Sequence, residues 1–115
     1  MSWVYNPHAG GTKIPPRIQE QTRTRILAHA AKHYAGEYDR IDVRFRGALC
    51  YIDAYCNSSD APIHLVRVRY FSGRDAWTLA FYTYSHEKYE PCMFPDGTWH
   101  GTLEDAFDVG AVYLQ

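Results

Sequence analysis

Apolar and polar side chains alternate with a period of two over four stretches between Ile41 and Ser85. That is the pattern of strands that bury one side of a pleated sheet and turn the other side outward. In Ile41 to Arg46 the inward set is Ile41, Val43 and Phe45, which leaves Asp42, Arg44 and Arg46 outward. From Ala48 to Cys56 the inward set is Ala48, Cys50, Ile52 and Ala54, with Tyr51, Asp53 and Tyr55 opposite. From His64 to Tyr70, Val66, Val68 and Tyr70 point inward, and Leu65, Arg67 and Arg69 outward. From Trp77 to Ser85, Trp77, Leu79 and Phe81 face the core while Thr78, Ala80, Tyr82 and Tyr84 face away. Arg46-Gly47 is read as a reversal or a bulge, because an uninterrupted strand would set Arg44 and Arg46 beside Cys50 and Ile52 and bury charge without a partner.

A different period governs the stretch before the strands. Ile18, Thr22, Ile26, Ala30 and Tyr34 recur every four residues, with Leu27 adjacent, which predicts an amphipathic helix from Pro15-Pro16 to about Ala35, stopped by Gly36. Trp3-Val4-Tyr5 reads as a short strand, and residues 6–13 as a flexible turn rich in Pro and Gly. Asn57 to Pro62 is a loop, and Ser72-Gly73-Arg74-Asp75 a hairpin turn. Pro95-Asp96-Gly97 predicts a second tight turn that joins Cys92-Met93-Phe94 and Thr98-Trp99-His100 as a small hairpin. Thr102, with Asp105 three residues on, opens a short helix to Val109, and Ala111 to Leu114 completes the chain as a last strand. The expected fold is α+β over residues 1–115 as a single domain. An N-terminal helix packs on one face of an antiparallel sheet of about four to six strands, followed by a short C-terminal helix and last strand.

Composition narrows the setting. At 115 residues the chain can bury about two thirds of its unfolded surface without a covalent staple. The start lacks the basic and apolar regions of a signal peptide, and no apolar run is long enough for a membrane span, so a cytoplasmic protein is expected. Cys50, Cys56 and Cys92 form an odd set with no CxxC spacing, which suits free thiols in a reducing compartment. No cofactor and no metal is expected: His29 and His33 stand one helical turn apart, but no third ligand accompanies them. Net charge is −1, unevenly spread, with six carboxylates against Lys88 alone after Ser85. Such an acidic end beside a basic body can orient a partner or a second copy.

The outward face carries the candidate chemistry. Arg44, Arg46, Tyr51, Tyr55, Arg67, Arg69, Tyr82 and Tyr84 share it if the four strands join one sheet. Arginine and tyrosine are the side chains of protein hot spots, and the expected function is a small intracellular binding module for a protein partner or for self-association. The alternative is single-stranded RNA, where guanidinium groups meet phosphates and rings stack on bases. His86 and Tyr84 extend that alternative to a metal-independent ribonuclease, similar in outline to small RelE-like toxins, although no local motif matches that family. A third reading places the working site between His8 and Lys13, where Gly10-Gly11-Thr12-Lys13 lacks the order of a phosphate-binding loop.

Tyr5-Asn6-Pro7-His8, His33-Tyr34-Ala35-Gly36, the run Arg44 to Tyr55, Ala80 to Ser85 and Tyr89-Glu90-Pro91-Cys92 resemble a family of small uncharacterised bacterial proteins over nearly the whole chain. The resemblance implies no activity and transfers no functional residue.

Overall fold

The computed structural model describes residues 10–72 and 76–114. The expected strand Trp3-Val4-Tyr5, His8, and positions 73–75 of the expected turn lie outside the described residues.

Five strands follow the first helix α1 (Pro16–His33): β1 (Arg40–Arg46), β2 (Leu49–Tyr55), β3 (Ile63–Arg69), β4 (Thr78–Thr83) and β5 (Lys88–Cys92). They form one antiparallel sheet in the order of the sequence, so each strand pairs with the one before it. A second helix, α2 (Leu103–Gly110), lies against β3 and β4, while α1 lies against β1 and α2. Both helices cover the same face. The core between them and the sheet contains Ile26, Ala30, Val43, Cys50, Ile52, Val66, Val68, Leu79 and Phe107. This is the α+β arrangement that the alternation predicts.

Helix α1 begins at proline, whose fixed φ suits the first turn and whose missing N–H leaves no orphan donor there. Thr22, Ile26 and Ala30 are buried along the expected stripe, with Ile18 and Tyr34 packed at its ends. Leu27 departs from the expectation at 40 % exposure, because one residue along a helix turns the side chain about 100° away from Ile26. Segment 10–15 is not a free turn either. The N–H of Thr12 donates to Tyr70 O and that of Ile14 to Gly47 O, and Ile14 is fully buried.

The reversal at Gly47 is present. Arg46 pairs with Leu49 across the two-residue loop Gly47-Ala48, and Gly47 takes φ +59°, the positive value that a type II′ turn asks of its first central residue.

Two local expectations are corrected. Ala111–Leu114 is a 3₁₀ turn that continues α2 rather than a last strand, and Tyr113 stacks on Phe81 with ring centroids 5.0 Å apart. Four residues are too short for an alternating pattern to separate strand from helix. The segment around Pro95-Asp96-Gly97 closes as a turn, through Phe94 N–H to Thr98 O and Gly97 N–H to Phe94 O, without a hairpin ladder. The strand that does form, β5, lies upstream and carries Pro91 in its middle, which an edge strand tolerates.

Candidate functional site

The register places the outward residues in rows across the sheet. Arg46, Leu49, Arg69 and Thr78 form one row, and Arg44, Tyr51, Arg67, Ala80 and Pro91 the next. Asp42 and Asp53 begin a third row. Strict alternation would put His64 inside and Leu65 outside, but a β-bulge intervenes: Ile52 pairs with Val66 and Asp53 with His64, which leaves Leu65 as the extra residue. Leu65 is fully buried, and His64 joins the outer face beside Asp53. The adjacent apolar pair Leu65-Val66 within an otherwise alternating strand is the sequence signal that points to this bulge.

Asp53 is the centre of the face and is only 2 % exposed. Nη2 of Arg44 donates to its Oδ2 at 2.7 Å, and Nδ1 of His64 lies 2.9 Å from its Oδ1. Two cationic or donor partners therefore satisfy one buried carboxylate, as such a charge requires. A carboxylate can only accept, so Nδ1 carries a proton, and in the neutral form of the ring the lone pair then lies on Nε2. Arg44 also reaches Asp42, with Nε 3.3 Å from Oδ2.

Aromatic rings wall His64. Its ring lies 4.6 Å from that of Tyr82 and 6.2 Å from that of Tyr89, and its backbone N–H donates to the Tyr84 hydroxyl at 2.9 Å, beyond the last β3–β4 pair, Val66 and Phe81. Tyr89 meets Tyr51 edge-on at 5.6 Å. The Arg67 guanidinium lies 5.3 Å from the Tyr89 ring centre, and that of Arg44 5.4 Å from Tyr51. The Tyr89 hydroxyl is buried without a hydrogen-bond partner among the described residues, and burial pushes its pKa up, with the negative charge of Asp53 adding to the effect. Burial also raises Tyr84, against the lowering effect of the His64 N–H.

Of the eight outward residues expected from the sequence, Arg44, Arg46 and Tyr51 line an open cleft of about 520 Å³ together with His64 and Tyr89. Arg67 borders it through its contact with Tyr89. Arg69 is half-buried in the neighbouring row, where Nη1 donates to Gly10 O. Tyr55 lies at the far end of β2, under the guanidinium of Arg40 at 4.0 Å. Tyr82 and Tyr84 pack against each other at 4.8 Å, and Tyr84 turns on toward Tyr113 at the border of the face.

His86 does not join them. Strand β4 ends at Thr83, and residues 84–87 form the turn into β5, so the alternation that assigned His86 to the outer face has already stopped. Its Nδ1 lies 2.6 Å from Glu90 Oε1, which also accepts from the Thr83 hydroxyl. Glu90 pairs with Phe81 and shares the core-facing parity, on the side of the sheet away from Tyr82 and Tyr89. His29 is likewise engaged, with Nε2 2.7 Å from Asp108 Oδ1, which also accepts from the Tyr34 hydroxyl. Among the described residues no group of three or more His, Cys, Asp or Glu side chains could hold a metal ion, and no helix is long and apolar enough to cross a membrane.

Comparison of the chain with protein-family models, with curated proteins and with solved structures finds no match.

Proposed function

We propose that the outer face of the sheet binds single-stranded nucleic acid, with RNA as the ligand. The observation that carries this reading is the cleft in which Arg44 and Arg46 flank Tyr51, His64 and Tyr89. Cations for phosphates and π faces for bases stand together there, the combination by which single strands are held without a base-pairing code. Charge supports the same reading. The two carboxylates of the face, Asp42 and Asp53, both turn to Arg44, while Arg46 and Arg67 take no carboxylate among the described residues.

A self-association surface fits this geometry less well. The large apolar side chains exposed among the described residues are Leu27, Tyr84, Met93 and Val112, and of these only Tyr84 borders the face. Stable homodimer interfaces have an apolar centre, and a face led by arginine lacks one. A cytoplasmic setting belongs to the proposal and rests on three free thiols, of which burial pushes Cys50 up to about 12.

Fluorescence anisotropy of a labelled mixed-sequence single-stranded RNA, titrated at several salt concentrations, tests the reading. Binding should weaken with salt at a slope of about 0.7 per phosphate neutralised. Replacing Arg46 and Arg67 together by alanine should flatten that slope by about 1.4 if each contacts one phosphate, with the fold intact. Absence of binding at low salt would sink the proposal and turn attention to an acidic protein partner.

A further inference from the structure

The site of His64 is more constrained than binding alone requires. Its ring is fixed at Nδ1 by a carboxylate that is almost fully buried, flanked by Tyr82 and Tyr89, and anchored through its backbone N–H by Tyr84. Its side chain keeps 30 % exposure, lines the cleft, and has no hydrogen bond at Nε2 among the described residues. An imidazole whose tautomer is set by a buried carboxylate and whose second nitrogen faces a ligand cleft has the arrangement of a general base. The other groups facing it are Arg44 across Asp53 and Arg46 along the cleft.

Resting on the RNA-binding reading, we propose that His64, positioned by Asp53, is the general base of a ribonuclease site that acts by internal transphosphorylation. Nε2 takes the proton of a ribose 2′-hydroxyl as its oxygen bonds to the adjacent phosphorus. The bond from phosphorus to the 5′ oxygen breaks, and that oxygen takes a proton from water. The products are a 2′,3′-cyclic phosphate and a free 5′-hydroxyl, and His64 returns its proton to solvent, so no oxidant or other co-reactant is consumed. The guanidinium group of Arg46 lines the same cleft and stabilises the extra charge on the five-coordinate phosphorus, while Arg44 holds Asp53 in place. Asp53 is a positioning residue, because it acts through the imidazole.

The test uses the full chain with an end-labelled single-stranded RNA, the DNA of the same sequence, and EDTA in the buffer. The expected result is shortened RNA ending in a cyclic phosphate, with the DNA intact, since DNA has no 2′-hydroxyl. His64→Asn keeps a donor near Asp53 but removes the base, and should cut at least about 100-fold more slowly when variant and unaltered protein are both compared at RNA concentrations that saturate them in the anisotropy titration. A 2′-O-methyl group at the cleaved position should block cutting by the unaltered protein, a readout that does not depend on how any variant folds. RNA that binds and stays whole would overturn the catalytic proposal and leave the binding reading standing. Cutting by His64→Asn at the unaltered rate, or cutting of the DNA, would also overturn it. RNA that does not bind in the anisotropy titration would overturn both.

Discussion

Asp53 and Leu65 occupy positions whose side chains contradict simple rules of exposure, and one bulge accounts for both. The extra residue in β3 turns Leu65 into the core and brings His64 to Asp53, so that a carboxylate at 2 % exposure finds two donors. The consequence is measurable at Leu65. Leu65→Ala should cost about 2–5 kcal/mol in urea unfolding, the range for truncating a fully buried leucine. An outward leucine, which strict alternation makes of it, would cost within about 0.5 kcal/mol. At this scale the sequence was legible wherever alternation ran unbroken: Arg44, Arg46, Tyr51 and Arg67 stand on the expected face. It misled at His64 and His86, the first because a bulge shifts parity and the second because the strand ends before it.

Two elements meet closely where α2 ends. A methyl group on Gly110 would lie 2.7 Å from the carbonyl oxygen of Leu65 and 2.7 Å from Val66 Cγ1, so the helix rests on the backbone of the bulge itself. In an ordinary helix Gly→Ala stabilises by about 1 kcal/mol. Here overpacking against backbone, which costs roughly 1–3 kcal/mol, should reverse the sign. Gly110→Ala is therefore expected to lower Tm by several degrees in a thermal melt, at roughly 4–8 °C per kcal/mol. An unchanged or raised Tm would show that the helix end is free to move away. Helices α1 and α2 were visible from the period of α1 and from Thr102, whose hydroxyl accepts from the Asp105 N–H. Strand β5 was not visible, because Lys88, Glu90 and Pro91 hide an edge strand whose pairing with β4 comes from the turn before it.

Across the whole molecule, titration should bound stability from both sides. Burial raises the pKa of Tyr34, Tyr84, Tyr89 and Tyr113, and that of Tyr34 is pushed up to about 12 by burial and by its bond to Asp108. A raised tyrosine is held neutral in the fold, so its contribution is complete below the unfolded value of about 10 and is lost as pH rises through the folded value. Stability should thus fall between pH 10 and about 12, with tyrosinate absorbance rising in step with unfolding. On the acid side, the hydrogen bond from Arg25 holds Glu104 below its ordinary 4.5 and joins α1 to α2 through Nε and Nη2 at 3.0 and 2.6 Å. That contribution is present above pH 4.5 and is lost as pH falls through the lowered value. Both partners are about one third exposed, so the pair is worth under about 1 kcal/mol. Glu104→Gln should flatten the acid limb of a plot of unfolding free energy against pH and leave the alkaline limb unchanged.

Sequence by itself determined the first helix and the short second one, four strands of an antiparallel sheet and the side on which most arginines and tyrosines stand, because side-chain direction in a strand is a local property that repeats every two residues. The order of the strands across the sheet came from the tertiary structure. Tertiary structure alone decided that Leu65 would be buried, that His64 would face Asp53, and that His86 would bond Glu90 on the other side. A bulge is chosen by what packs on either side of it, here the backbone contact of Gly110 below and the charge of Asp53 above, and neither neighbour is near in sequence to β3.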